Sequence, residues 1–331
     1  MARQRFKIAA FLALCSAVVA VSPFVGMKLI TPFSISSAGF DANIFYSIRV
    51  PRTIIGFFAG AALAVCGMVF QALFRNPLAE PFTLGVSSGA SFGAALTIVM
   101  KLAGTILGVP VITFGAFAGA AASMTMVYGF ASLQKRMSSL TMLLAGISVS
   151  FMFSSLLMFV QFLSDLRHSF QIVRWLMGGL EVYGYDSVAP LAILVVASLT
   201  IIAARLTELD HLLTGEDLAQ VRGIDVRRTK IILFFATSLC VSSIISVCGP
   251  IGFVGMMSPH ICRLLFGVRH RLLGFTTLIF GGTFLVACDT AARTIIAPAE
   301  IPVGVITSLV GGPFFLWILF RHIRNQGGQI W

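Results

Sequence analysis

The sequence predicts an all-α polytopic membrane protein with about ten transmembrane helices in one domain, residues 1–331. Three observations carry that reading. Of 331 residues, 58% are hydrophobic and only 11% are charged, whereas soluble domains average about 25% charged. Mean hydropathy is +0.98. The apolar residues come in runs of about 20 with short polar breaks between them, the length an α-helix needs to cross the hydrocarbon.

Residues 1–30 open with Arg3, Arg5 and Lys7 and then run apolar to Ile30. That is longer than the apolar core of a signal peptide and predicts an uncleaved first span. A polar loop over 31–47 leads to Arg49-Val50-Pro51-Arg52 and span two, which ends near Phe74. Arg75 to Pro81 holds two prolines and reads as a rigid break. Span three covers 82–100, with Gly85, Gly89 and Gly93 on one helical face. Gly56/Gly60 and Gly115/Gly119 repeat that spacing, which lets helix backbones approach closely. Span four covers 108–133 and is closed by Lys135 and Arg136; span five covers 140–163. Residues 164–184, with Arg167, His168, Arg174 and Trp175, predict a short interfacial helix. Span six covers 187–205 and span seven 230–248. The Gly/Pro break from Gly249 to Gly255 feeds span eight through Pro259 to Phe266. Span nine, 272–295, holds Asp289 and Arg293 at i,i+4, a spacing at which the aspartate holds the arginine in place. After a turn at 297–302, span ten covers 303–320 with Gly304, Ser308 and Gly312 four apart.

Ten spans put both termini on one side. Counted that way, one side carries sixteen Lys and Arg and the other seven, and the positive-inside rule makes the richer side cytoplasmic. The net charge of +11 is spread between apolar runs, so no basic domain exists to bind nucleic acid. The six cysteines lie in or beside apolar runs without a CxxC pair and predict free packed thiols. No Walker A loop occurs, so nucleotide, if used, is bound by another chain. An intramembrane enzyme lacks any catalytic constellation, with neither an HExxH nor a Ser/His or paired-Asp site. An ion-coupled secondary transporter is the rival class. It needs buried ionisable groups near the midplane, and the span centres offer only Asp289.

The one long polar interruption is 206–230, which holds Glu208, Asp210, Glu216, Asp217 and Asp225, five of the chain's twelve acids. Inside it a short helix is marked at both ends. Thr214 reads as N-cap with Asp217 completing a capping-box-like pair, and Gly223 suits the left-handed position past the end. A helix of two turns is marginal alone, so it must be braced by its neighbours. On the residues alone, an ordinary charged cytoplasmic loop remains the alternative.

Several stretches resemble the FecCD-type permeases, the membrane subunits of ABC importers for iron-siderophores, haem and vitamin B12. They are Arg49-Val50-Pro51-Arg52, Gly60-Ala61-Ala62-Leu63-Ala64, Gln71 to Pro81, Leu84 to Ala90, Gly252-Phe253-Val254-Gly255 with Pro259 to Arg263, and Glu300 to Val305. The match runs in order over nearly the whole chain. It implies a type II ABC importer permease fold in the bacterial inner membrane, with both termini cytoplasmic. It also implies a second copy of the chain, two ABC ATPase subunits that hold ATP and Mg, and a periplasmic or lipid-anchored binding protein. The cargo would be a metal chelate, and this chain itself would carry no cofactor and no metal.

By the same resemblance, Arg49, Arg52 and Arg293 would dock glutamates of the binding protein. Arginine's fork suits carboxylate, while interfacial snorkelling is the plain alternative. The ATPase-coupling residues would be Leu212, Gly215, Glu216, Asp217, Ala219, Arg222 and Gly223, with Arg222 standing where relatives often have Leu. Asn76, Leu78, Ser138 and Ser139 would form the cytoplasmic gate. Met152, Met158 and Phe162 on span five are candidates for the path lining.

Overall fold

The computed structural model describes residues 2–325 apart from 32, 34–38, 81, 83–84, 107, 134–138 and 181–182. The helices are α1 (Ala2–Val21), α2 (Phe40–Ile44), α3 (Val50–Phe74), α4 (Val86–Val99), α5 (Val111–Ser132), α6 (Ser139–Leu163) and α7 (Leu166–Leu176). They continue with α8 (Val188–Ala204), α9 (Leu206–Thr214), α10 (Glu216–Val221), α11 (Val226–Cys248), α12 (Val254–Phe266), α13 (His270–Thr294) and α14 (Val303–Asn325). A two-residue ladder, Thr105–Ile106 with Val109–Pro110, closes the turn between α4 and α5.

The second span begins earlier than the sequence suggests. A π-turn, Phe45–Arg49, joins α2 to α3, so Phe40–Phe74 is one apolar element and residues 40–47 are not a loop. Pro51 is the reason. It lacks the N–H that would bond the Ser47 carbonyl, and its ring crowds that group. The wider turn relieves the crowding, and the Ser47 carbonyl accepts the Gly184 N–H at 2.8 Å instead.

Among the described residues six helices are each long and apolar enough to cross a membrane, and α8 with α9, bent by 51°, counts as a seventh if the pair is taken as one span. Helices α4 and α12 are shorter than the spans expected there, whereas α14 is longer. Each of the three is preceded by a non-helical stretch (75–80, 249–253, 295–302), of which Ala79, Glu80, Pro250 and Ile251 are buried. Irregular backbone at membrane depth is tolerated only when protein covers it, so these three spans combine a break and a helix.

Helix α3 is the axis. It is buried along nearly its whole length and packs against α11, α12 and α13. Contact is backbone to backbone. A methyl on Gly60 would sit 2.3 Å from the Gly281 carbonyl oxygen, and one on Gly67 would sit 1.9 Å from that of Gly255. Helices α4 and α5 meet similarly through Gly89 with Gly119 and Gly93 with Gly115, as the four-residue spacing predicts. Gly85 is instead a left-handed helix start at φ 88°. On α14 a methyl on Gly304 would sit 2.3 Å from the Met177 carbonyl oxygen, as expected, and Gly311 lies as close to Phe253, whereas a methyl on Gly312 would meet nothing within 4 Å. All six cysteines are free and buried.

Gly67→Ala should therefore destabilise the fold by at least the ~1–3 kcal/mol typical of overpacking. Gly129→Ala, where a methyl meets nothing within 4 Å, should leave the melting temperature in detergent unchanged or slightly raised. Equal melting temperatures for the two variants would contradict this packing.

Candidate functional site

Five charged side chains gather where α1, α3 and α13 end together. Arg49 is buried and donates to the carbonyls of Pro23 and Phe24, both at 3.2 Å, and of Lys28 at 2.7 Å. It thereby pins the chain leaving α1, and a methyl on Gly26 would lie 2.7 Å from the Arg49 guanidinium and displace it. Arg52 grips Asp289 through Nε at 3.0 Å and Nη2 at 2.8 Å, and reaches Glu300 through Nη1 at 2.7 Å. Arg293 meets the other face of Asp289 at 3.1 Å and donates to the Ser22 hydroxyl at 3.2 Å.

The i,i+4 expectation for Asp289 and Arg293 is met, but Asp289 holds two arginines rather than one. The structure corrects the expectation that one helical face presents Arg49 and Arg52 outward. Both are 8% exposed and turned into the chain, because the carbonyls after α1 and the α13 carboxylate already satisfy their donors. Glu300 is the exception in the group, with its side chain 52% exposed.

The opposite end carries the polar stretch, and the bracing it requires is present. The Arg75 guanidinium donates to the Leu212 carbonyl at 2.9 Å, tying α9 to α3. Buried Lys230 on α11 meets Glu216 at 2.8 Å. His270, at the start of α13, meets Asp210 at 2.6 Å, and Arg271 reaches Thr207. Glu208 takes Arg205 at 2.6 Å and the Thr229 hydroxyl. Leu209, Leu212 and Ala219 are buried beneath. The α9–α10 pair is thus wired to three spans, α9 to α3 and α13 and α10 to α11.

Its start differs from the sequence reading. Thr214 closes α9, and Gly215, at φ 132° and ψ 143°, occupies the N-cap position of α10 without a side-chain cap. Only glycine tolerates that backbone comfortably. Gly223, at φ 80°, sits past the helix end as predicted. Of the proposed coupling residues, Leu212 and Ala219 face inward and Glu216 points to Lys230. Asp217, Arg222 and Gly223 are exposed, with Arg222 meeting the His211 ring at 2.8 Å. The sequence reading missed the apolar projections beside them. Leu213 is 46% exposed, Leu218 55% and Val221 85%. The missed signal was three large apolar residues at 213, 218 and 221 in an otherwise charged stretch.

Of the gate candidates, Ser139 donates to the Leu73 carbonyl at 2.7 Å, so the start of α6 abuts the end of α3. The Asn76 side chain accepts from the Leu78 N–H at 2.9 Å, forming a side-chain turn. Leu78 is exposed. Ser138 lies outside the described residues. On α6 a cavity of about 480 Å³ is lined by Ile147, Ser150, Phe151 and Ser154, across from Ser87 and Ser91. Met152, Met158 and Phe162 do not line it. Glu80, which the sequence reading left in a break, is buried and borders a neighbouring cavity of about 550 Å³ with Phe82 and Ser308. Asp165 caps α7 by accepting the His168 backbone N–H at 2.8 Å, a bond that holds its carboxyl below the usual range.

The chain matches the FecCD transport family over residues 8–321. It is 36% identical over 294 residues to the hemin transport system permease protein HmuU of Yersinia pestis, covering 86% of each chain. It is 32% identical over 320 residues to the vitamin B12 import system permease protein BtuC of Vibrio vulnificus, covering 96% of this chain and 95% of that one. An uncharacterized ABC transporter permease protein of Bacillus subtilis, YvrB, is 38% identical over 289 residues, covering 87% and 81%. A solved structure, provisionally described as a metal-chelate type ABC transporter in an inward-facing conformation, superposes with a TM-score of 0.84 at 27% identity. The match covers 96% of this chain and 99% of that one.

Removing the shared carboxylate with Asp289→Asn should cost about 3–5 kcal/mol, because two buried arginines lose their counter-charge. Asp41→Asn removes only the Lys28–Asp41 pair, whose lysine is largely exposed, and should cost under about 1 kcal/mol. Thermal melts of the two variants in one detergent check the contrast, and equal losses would refute it.

Proposed function

The chain belongs to the FecCD transport family and is a multi-pass membrane permease of the ABC importer type; from that premise we propose that it carries an iron-siderophore-type metal chelate across the bacterial inner membrane. Two copies of the chain would enclose the path. Two ATPase subunits, holding ATP and Mg, would dock on the cytoplasmic side, and a periplasmic or lipid-anchored binding protein would deliver the chelate from outside. Both termini are assigned to the cytoplasm. The chain itself does no covalent chemistry and needs no cofactor.

The observation that carries this reading is the braced helix α10. Its outer face offers Leu218 and Val221 to a partner, Glu216 ties it to α11, and the preceding helix α9 is bonded to the ends of α3 and α13. Force applied by closing ATPase subunits would therefore reach three packed spans together, and rigid-body tilting would alternate access between the two faces. Arg49, Arg52 and Arg293 are assigned to binding-protein docking, and Asn76, Leu78, Ser138 and Ser139 to the inner gate. Haem and vitamin B12, the cargoes in the names of two relatives, are the alternative cargoes within the same mechanism.

The reading is tested by reconstituting the chain into liposomes with its ATPase and binding protein and measuring uptake of radiolabelled ferric siderophore. Uptake should require ATP inside and should fall when haem or cobalamin is the probe. Uptake by the chain alone, down an ion gradient, would instead identify a secondary transporter.

Two variants separate docking from coupling. Val221→Asp should weaken co-purification of the ATPase by about tenfold or more, while the melting temperature of the isolated permease holds, since Val221 is almost wholly exposed. Glu216→Lys should leave ATP hydrolysis but depress uptake per ATP, because the tie from α10 to Lys230 becomes a repulsion. Uptake and hydrolysis falling in strict proportion would exclude a coupling role for Glu216.

A further inference from the structure

The outer charge cluster holds more cations than anions. Arg49, Arg52 and Arg293 face Asp289 and Glu300, and the neighbouring Asp41 is taken by Lys28 at 2.8 Å. Arg49 is near enough to Arg293 and Glu300 to feel both charges. Arg293 is 5% exposed, and its Nη1 makes no hydrogen bond among the described residues. Desolvated guanidinium without a full set of acceptors favours a further carboxylate.

The two carboxylates already present are not equivalent. Asp289, with 2% of its side chain exposed, is locked between two arginines within α3 and α13. Glu300, with 52% exposed, touches the cluster only through Arg52 Nη1. Its neighbour Ile301 is held by a backbone bond to Ala292 at 3.2 Å, so the Glu300 carboxylate can leave by side-chain rotation without moving the turn. Glu300 and Arg174 both line a cavity of about 530 Å³, which gives the released carboxylate room and a nearby cation.

We propose that Glu300 is an internal stand-in for a partner's carboxylate: it occupies the outward-facing bond of Arg52 until the docking binding protein inserts an acidic side chain and displaces it. The proposal rests on the docking role assigned to Arg52. Glu300 then acts as a competitor that lowers docking affinity and releases the complex once the partner's carboxylate withdraws. The apparent affinity is reduced by the fraction of permease in which Arg52 is already taken.

The test uses the assembled importer in nanodiscs and the fluorescently labelled binding protein that co-purifies with it. Glu300→Gln should raise docking affinity by about three- to tenfold at low ionic strength, and the gain should shrink as salt screens the exposed charges. Glu300→Asp keeps the charge but shortens the arm, and should give a smaller gain in the same direction. Arg52→Gln should lower affinity. Unchanged or weaker docking in both Glu300 variants, with Arg52→Gln still weakening it, would overturn the competitor role and leave the docking role standing. Undiminished docking in a stably folded Arg52→Gln importer would overturn both.

Discussion

The close backbone contact of α3 with α12 and α13 is the constraint on which the rest depends. Gly60 against Gly281 and Gly67 against Gly255 leave no space for a methyl group. In a bilayer no hydrophobic force distinguishes a neighbouring helix from lipid, so dispersion contact at this range does the holding. The consequence is a rod buried along most of its length. Such a rod cannot bend in its middle to absorb a push, and it carries functional residues at both tips.

At one tip, Arg52 and Asp289 join α3 to α13, and Arg49 fastens the chain after α1. At the other, Gln71 meets Arg263 at 3.1 Å, Arg75 holds Leu212, and the Leu73 carbonyl receives Ser139. Helix α9, the Asn76–Leu78 turn, the start of α6 and the arginine cluster are therefore joined by one element. Asp289, the ionisable group on which an ion-coupled mechanism would have drawn, is saturated by two arginines near the outer end.

The buried breaks serve the same design. The stretches before α4, α12 and α14 place irregular backbone inside protein, where Glu80, Phe253 and Ser308 gather around one cavity. Helices hinged on such breaks can shift relative to the rigid axis. The serine-bearing faces of α4 and α6 offer hydroxyls rather than charges to the cavity between them, and Ser88 and Ser91 bond carbonyls of their own segment, Ser91 to Ser87 at 2.8 Å.

The helical membrane class, the order of the spans, the glycine contacts and the need to brace 206–230 were all legible in the sequence. Each follows from local pattern: apolar run length, four-residue spacing of small residues, and a helix too short to stand alone. Residue motifs likewise sufficed for the family. Side-chain direction was not legible. Nothing near Arg49 or Arg52 in sequence announces carbonyls 21 to 26 positions away or a carboxylate 237 positions away, so both read as outward when both turn inward. The same holds for Glu216, whose partner Lys230 is set by how α10 folds back on α11, and for Glu80, whose burial depends on α12. Charge in a membrane protein goes wherever another chain segment can neutralise it. That pairing is a property of the packed bundle rather than of any stretch within it.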